Sequence, residues 1–289
     1  MNDPAHRKSV GLLLIAALGW SLGGVLFKLV DWPPLAVAGG RGLIAALFLI
    51  AVRGRALRFT WSPLQIGAAV AYAGCTVLFA AANKMTTAAN AILLQYTAPM
   101  WVALLGAWLL GERARRSDWV TIGITFMGMA IFLFEGLRVK DLAGILVAIG
   151  SGVCFGAMTV LLRKQKAGSP LESIILGNVL AFGVGLPAMW SAGALPAPTG
   201  IAALIALGVV QLGVPYLLYA YAIKHVTALE AVLIPIIEPI LNPIWVLLLV
   251  NERPSPLSLL GGAIVIGAVT WRAITSIRTR STGRAPSTT

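Results

Sequence analysis

The chain has 289 residues, of which 58% are hydrophobic and only 11% are charged. A soluble globular domain carries about 25% charged residues and could not cover this much apolar surface with polar groups. The composition therefore excludes a cytosolic enzyme, a nucleic-acid-binding domain and a disordered protein. The formal net charge of +12 is expected to record membrane topology, because basic residues collect on the cytoplasmic side of membrane proteins.

Ten apolar runs follow one another along the chain, each about as long as a membrane-spanning helix. They cover residues 10–30, 34–52, 64–83, 87–110, 117–135, 142–162, 171–192, 200–222, 228–250 and 256–275. The runs are continuous instead of alternating, which favours helices over a β-barrel. The first run is too long for the apolar part of a signal peptide, so we expect it to be retained. The sequence predicts an all-α membrane protein with ten transmembrane helices.

The basic residues predict the orientation of these helices. With the first residues placed inside the cell, sixteen Lys and Arg residues fall on the cytoplasmic side and five on the outer side. Arg41 belongs to neither group, because it lies within the second run. This bias predicts that both termini are cytoplasmic and that basic residues contact anionic lipid head groups on that side.

The two halves of the chain are similar in sequence. Residues 81–113 align with residues 221–253 at a constant offset of 140 without a gap. Identical pairs include Lys84/Lys224, Pro99/Pro239, Glu112/Glu252 and Arg113/Arg253. Because five helices is an odd number, the second unit must enter the membrane from the opposite side, as in the inverted-topology repeats of many transporters. We predict one five-helix repeat at 1–140, a second at 141–276 and a basic tail at 277–289.

Three motifs of these spans carry a family resemblance. Span one contains the segment from Gly19 to Lys28 (GWSLGGVLFK), span two contains Arg41, and span four has a central Pro99 and ends in Gly-Glu-Arg at 111–113. With these marks the chain resembles the drug/metabolite transporter superfamily, in its ten-helix EamA family. The span-four pattern recurs in span nine, from Pro239 to Asn251-Glu252-Arg253. Asn251 departs from it, because Gly is commoner at that position. The resemblance implies a bacterial inner (plasma) membrane transporter of small metabolites, often amino acids.

Prolines are predicted to bend the central helices. Pro235, Pro239 and Pro243 follow one another at intervals of four in span nine, so they share one helix face. Each removes a backbone donor, and the freed carbonyl groups need a partner within protein or in a cavity. Pro99 is the repeat mate of Pro239 in span four. Both a hinge and a static kink are compatible with these four residues.

Two charged residues are not explained by topology. Glu238 lies deep in span nine, where a charge is costly to insert, so its side chain is expected to face the bundle interior. It is a candidate for proton coupling, for a contact with a substrate amine, or for a hydrogen bond between helices. Its repeat mate is Ala98, so only one half carries the acid. Arg41 is either a structural anchor or a contact to substrate or gate.

Residues with an apolar body and a polar tip suit a cavity for amphipathic organic molecules. The predicted cavity residues are Trp20, Tyr72, Gln95, Tyr96, Trp101, Tyr216, Tyr219, Glu238 and Asn242. Packing between helices is the alternative interpretation for the aromatic members of this set. Asn242 lies one turn after Glu238 and therefore shares its face.

The sequence indicates neither a metal nor a cofactor. Cys75 and Cys154 lie within apolar runs, the isolated His6 and His225 form no ligand cluster, and no phosphate-binding glycine loop is present. The string from Gly19 to Gly23 fits the serine-hydrolase pattern G-x-S-x-G, but it lies inside a predicted helix without a His partner. We therefore predict a protein that is not an enzyme.

The sequence as a whole predicts a secondary transporter that works by alternating access. Its cavity is expected between the halves, built from spans one, three, four, six, eight and nine. On the family resemblance and the set of Trp and Tyr residues within the spans, export of amino acids with aromatic or bulky apolar side chains is the first interpretation, and broad efflux of drugs or metabolites is the alternative. A channel is disfavoured because few polar residues are available for pore rings. No nucleic-acid partner is predicted, and a monomer and a homodimer both remain open.

Overall fold

The structure of the chain is a computed structural model that describes residues 4–86, 88–136 and 142–250, together with part of 256–271. The described residues form helices joined by short connections, with no strand among them. Seven helical stretches among the described residues, some of them interrupted, are long and apolar enough to cross a membrane. The prediction of an all-α membrane protein is confirmed.

The first half contains seven α-helices. They are α1 (Pro4–Ser21), α2 (Gly23–Leu29), α3 (Pro34–Arg53), α4 (Pro63–Met85), α5 (Ala88–Gln95), α6 (Ala98–Leu109) and α7 (Arg116–Gly136). A short 3₁₀ turn, Gly54–Ala56, follows α3. Spans one and four are therefore each divided into two helices, whereas spans two, three and five are each continuous.

The second half contains six α-helices within residues 142–250. They are α8 (Leu142–Lys164), α9 (Pro170–Ala192), α10 (Pro198–Ala206), α11 (Val214–Ala222), α12 (Ala228–Leu233) and α13 (Glu238–Val250). A π-helical segment, Leu207–Gly213, joins α10 to α11, and a 3₁₀ segment, Ile234–Ile237, joins α12 to α13. The described residues between 256 and 271 are helical as well. The predicted tail at 277–289 lies outside the described residues, as does the connection at 137–141.

Proline sets where several of these helices begin. The helices α3, α4, α9 and α10 each start at a proline. The first turn of a helix needs no N–H donor, and the fixed φ of proline is already helical. At Ser62 the hydroxyl also accepts a hydrogen bond from the backbone N–H of Gln65, which caps α4.

The two halves are packed into each other instead of side by side. Span one packs on span eight through α1 and α11, α3 packs on α9, and α4 packs on α8. Glycines allow these close approaches. A Cβ atom at Gly19 would lie 2.6 Å from Pro215 Cγ, and one at Gly156 would lie 2.7 Å from Trp101 Cβ. The interface between the halves therefore runs through the centre of the molecule, where a transporter needs its binding site.

Candidate transport cavity

A partly open cavity lies between the two halves of the molecule. The lining residues are Trp20, Arg41, Cys75, Thr76, Phe79, Gln95, Phe155, Gln211, Leu212, Tyr216 and Glu238. They come from both halves, from the six predicted spans and from span two, which contributes Arg41.

Several lining residues lie at breaks in the helices. Trp20 precedes the break between α1 and α2, Gln95 ends α5, and Glu238 begins α13. Gln211 belongs to the π-helical segment of span eight. Interrupted helices free backbone groups for binding, and such breaks surround the substrate in many transporters.

Arg41 is buried in the bundle with 1% of its surface exposed. Its Nη1 donates to Gln211 Oε1 (2.9 Å) and its Nη2 donates to the carbonyl of Thr76 (2.9 Å). The guanidinium carbon lies 4.6 Å from the ring centre of Phe27, a cation–π contact. Its Nε is buried without a hydrogen-bond partner. Among the described residues, no carboxylate forms an ion pair with Arg41.

Glu238 lines the same cavity and is 7% exposed. Its Oε2 accepts a hydrogen bond from the hydroxyl of Tyr96 at 2.9 Å. The same hydroxyl lies 3.0 Å from the carbonyl oxygen of Pro235. Within the described part of the chain, Glu238 has no cationic partner either. The two intramembrane charges therefore share one cavity without pairing with each other.

Aromatic rings form one wall of the cavity. The ring of Trp20 lies 5.0 Å from that of Tyr216 and meets Phe155 edge-on at 6.5 Å. Tyr219 stands behind this wall, 5.6 Å from Trp20, and its hydroxyl is paired with Thr159 at 2.8 Å. Rings in this arrangement offer an apolar surface of fixed shape to a ligand.

The side chain of Gln95 connects three spans at the cavity. Its Nε2 donates to Ser151 Oγ (2.7 Å), and Ser151 Oγ in turn donates to the carbonyl of Cys75 (2.9 Å). These bonds join α5, α8 and α4 and fix the amide of Gln95 in place.

The structure brings Trp20, Gln95, Tyr216 and Glu238 of the predicted set to the cavity, with Tyr96 hydrogen-bonded to Glu238. The others lie outside the lining. The hydroxyl of Tyr72 is paired with the amide of Asn178, 3.0 Å from Nδ2 to Oη. Trp101 packs beside Gly156, and Asn242 packs against Gly24. Each of these three side chains contacts a residue of a neighbouring span, so they contribute to packing between helices.

The predicted prolines coincide with changes in helix geometry. Pro99 lies in the first turn of α6, directly after the break at residues 96–97, and Pro235 lies within the 3₁₀ segment. Pro239 is buried in the first turn of α13. The side chain of Pro243 lies outside the described set. A hinge role for these four residues stays a prediction.

Sequence reasoning did not assign Cys75, Thr76, Phe79, Phe155, Gln211 and Leu212 to the cavity. A helical stripe could have found part of this set, because Cys75, Thr76 and Phe79 follow Tyr72 by three, four and seven residues on α4. Gln211 is an amide inside an apolar run, which is itself a signal of an interior position.

Ion pairs of the described residues lie away from the cavity. Glu112 accepts from Arg163 Nε (3.0 Å) and from the backbone N–H of Ala228 (2.8 Å). Arg53 pairs with the buried Glu172. His6 contacts Glu230 at the start of α12. Among the described residues, no group of three or more His, Cys, Asp and Glu side chains could hold a metal ion.

A helical membrane protein whose interlocked halves enclose a partly polar cavity at broken helices belongs to the class of membrane transporters. The model of the EamA-like transporter family matches residues 7–134 and again residues 142–272. The chain belongs to this family. The family matches once in each half, although the repeat boundaries at 140 and 276 stay predictions.

Several relatives of the chain are named as transporters or exporters. A threonine/homoserine exporter of Escherichia coli (strain K12) is 26% identical over 86% of this chain and 84% of its own length. A pseudopaline exporter of Pseudomonas aeruginosa (strain UCBPP-PA14) is 27% identical over 62% of this chain and 64% of its own. A further relative, from Bacillus subtilis (strain 168), is named an uncharacterized transporter and is 27% identical over 88% of this chain and 90% of its own length. These names point to a transporter of small molecules and not to an enzyme.

A solved crystal structure has the same fold. It superposes with a TM-score of 0.77 at 20% identity and covers 94% of this chain and 99% of its own chain. The ten-helix fold of two inverted repeats is therefore confirmed as the fold class. At this identity the likeness concerns the fold alone.

Proposed function

We propose that the chain exports amino acids with aromatic or bulky apolar side chains from the cell. The observation that carries the proposal is the composition of the central cavity. An aromatic wall of Trp20, Phe155 and Tyr216 lies beside the polar groups of Arg41, Gln211 and Glu238. Such a cavity matches molecules that have an apolar side chain at one end and polar groups at the other. A relative that exports threonine and homoserine supports the class of substrate.

Transport proceeds by alternating access. Two similar units of opposite orientation have two arrangements of similar energy, and exchanging them opens the cavity first to one side and then to the other. The breaks in spans one, four, eight and nine provide places where helix segments can reorient. Because these broken helices also line the cavity, their movement changes access to the substrate directly.

A broader efflux activity is the second candidate. The aromatic wall is compatible with many apolar molecules, and one relative is named as an exporter of pseudopaline. An amino-acid exporter should respond to the backbone groups of its substrate, whereas a broad efflux protein should respond mainly to apolar surface.

The chain is assigned to the plasma membrane with both termini in the cytoplasm. The bias of Lys and Arg toward one set of loops supports this orientation. The same residues contact anionic lipids of the inner leaflet. Under this orientation, Glu112 and Arg163 join α6, α8 and α12 on the cytoplasmic side of the cavity.

Counterflow in proteoliposomes tests the proposed function. Liposomes that contain the purified protein are loaded with unlabelled amino acid, and uptake of a labelled panel of amino acids and drugs is measured at initial rate. Selective uptake of aromatic and bulky apolar amino acids is expected. Equal uptake of unrelated apolar drugs would favour broad efflux, and the absence of uptake of any small solute would overturn the proposal.

A further inference from the structure

We infer that the cavity binds its substrate as a zwitterion, with Arg41 holding the carboxylate and Glu238 holding the ammonium group. The inference rests on the proposed function and names the recognition chemistry of the same site. It starts from two side chains of opposite charge that line one cavity, each nine-tenths buried or more. Neither forms an ion pair with the other or with any further residue that the structure describes.

Arg41 has unused donors suited to a carboxylate. A guanidinium carries five N–H groups, and here one hydrogen bond goes to Gln211 and one to the carbonyl of Thr76. The Nε of Arg41 is buried and has no partner. Both occupied acceptors are neutral, so the buried positive charge lacks a counter-ion among the described residues. A carboxylate that accepts from Nε and one Nη would supply that counter-ion through a bidentate pair.

Glu238 provides the opposite charge for the other polar group. Its Oε2 accepts from the Tyr96 hydroxyl, which holds the carboxyl group in a defined orientation. An ammonium group carries three donors and no acceptor, so a carboxylate is the complementary partner. Glu238 is the first residue of α13, directly after the 3₁₀ segment Ile234–Ile237.

The aromatic wall accounts for the remaining part of the ligand. Trp20 and Tyr216 line the same cavity as the two charges, and their tilted rings lie 5.0 Å apart. An α-amino acid carries its carboxylate, its ammonium group and its side chain on one carbon atom, so it can meet both charges and this wall together. A neutral apolar ligand would leave both charges buried without compensation, which is costly.

Competition in counterflow separates the two charge contacts. Initial uptake of labelled phenylalanine into phenylalanine-loaded proteoliposomes is measured at equal pH on both sides. The competitors are phenylalanine, its methyl ester, phenethylamine and 3-phenylpropionate. The ester and phenethylamine lack the carboxylate but keep the amine, whereas 3-phenylpropionate lacks the ammonium group. A parallel set uses labelled threonine, threonine and threonine methyl ester.

The wild type is expected to prefer phenylalanine over each analogue by about 10- to 100-fold, because each analogue leaves one buried charge unpaired. Arg41→Gln should lower the apparent affinity for phenylalanine to that for its methyl ester, while the affinity for the ester changes little. Arg41→Lys should be intermediate, because an ammonium group keeps the charge but not the fork. Glu238→Gln should instead remove the preference over 3-phenylpropionate. Arg53→Gln, at an ion pair outside the cavity, should preserve all preferences.

Several results would overturn the inference. The inference fails if the ester and phenethylamine compete with labelled phenylalanine in the wild type as strongly as phenylalanine does. This result needs no variant, so it remains decisive even if Arg41→Gln fails to fold. An equal loss for all four competitors in Arg41→Gln, with folded protein on gel filtration, would assign Arg41 to structure alone. If the wild type moves neither labelled amino acid, the proposed function fails as well, and that result is distinct from amino-acid transport without charge preference.

Discussion

The hydroxyl of Tyr96 has one proton and two acceptors within reach. It lies 2.9 Å from Glu238 Oε2 and 3.0 Å from the carbonyl of Pro235. When Glu238 is ionised, Tyr96 donates to the carboxylate. When Glu238 is protonated, the acid can donate to Tyr96, and Tyr96 can then donate to Pro235. The protonation state of Glu238 is thereby linked to the backbone of the 3₁₀ segment in span nine.

This link predicts how transport responds to a pH gradient. In Glu238→Gln the side chain cannot gain or lose a proton, so a pH gradient should no longer accelerate transport. Exchange at equal pH should continue, although with the weaker phenylalanine binding that follows from loss of the ammonium contact. The measurement compares labelled phenylalanine efflux with and without an imposed gradient. Glu172→Gln is the matched control, because Glu172 is buried beside Arg53 outside the cavity. Gradient dependence that persists in Glu238→Gln would remove the coupling role.

The hydroxyl of Tyr96 can be tested by itself. Tyr96→Phe removes the donor to Glu238 and to Pro235 but keeps the ring beside Phe155. We expect a roughly tenfold lower rate of exchange with normal folding, because one hydrogen bond to a charged group is lost. Tyr219→Phe removes a hydroxyl bonded to Thr159 outside the lining and should change the rate little. Equal rates in Tyr96→Phe and wild type would contradict the role of this hydroxyl.

Part of the site follows from single residues in the sequence. A carboxylate and a guanidinium inside apolar runs are rare enough to identify Glu238 and Arg41 directly. Thr76 and Phe155 carry no such signal, since ordinary residues of apolar helices line the cavity only through the neighbours they meet. Tyr72 shows the reverse case, because its partner Asn178 comes from a helix 106 residues further along the chain.

At the scale of helices, glycine contacts hold the halves together. A Cβ atom on Gly19 would lie 2.6 Å from Pro215 Cγ and 2.9 Å from the carbonyl oxygen of Val210. Span one therefore packs on the backbone of span eight where the π-helical segment meets α11.

Gly19→Ala should destabilise the protein through this contact. Overpacking by one methyl group costs about 1–3 kcal/mol, so the midpoint of thermal unfolding in detergent should fall. Gly11→Ala lies in the same helix with nothing within 4 Å of the added Cβ atom and should leave the midpoint unchanged or slightly higher. Equal midpoints for the two variants would show that the Gly19 contact is not tight.

Hydropathy predicted the helices better than their interruptions. Pro99 and Pro235 marked the breaks in spans four and nine, since each proline removes a backbone donor. The break at Leu22 and the π-helical segment at Leu207–Gly213 have no comparable signal in the sequence. The hydropathy of an apolar run is the same whether its backbone hydrogen bonds follow the regular α-helical pattern or are shifted. These irregularities depend on packing against the other half, as at Gly23 beside Gln211.

At the scale of the whole molecule, the orientation in the membrane can be measured. Sixteen of the 22 basic residues fall in the segments assigned to the cytoplasm. A green fluorescent protein fused after the last residue should therefore fluoresce in bacterial cells, whereas alkaline phosphatase at the same position should be inactive. The opposite pair of results would place the C-terminus outside and would reverse the direction assigned to the cavity.

The whole account depends on a cavity that opens to one side at a time. Proteoliposomes loaded with labelled phenylalanine test this most directly, because a carrier returns faster with substrate bound than empty. Unlabelled phenylalanine added outside is expected to accelerate efflux of the label several-fold and in a saturable manner. Efflux that is insensitive to outside phenylalanine and grows linearly with its inside concentration would indicate a channel and contradict alternating access.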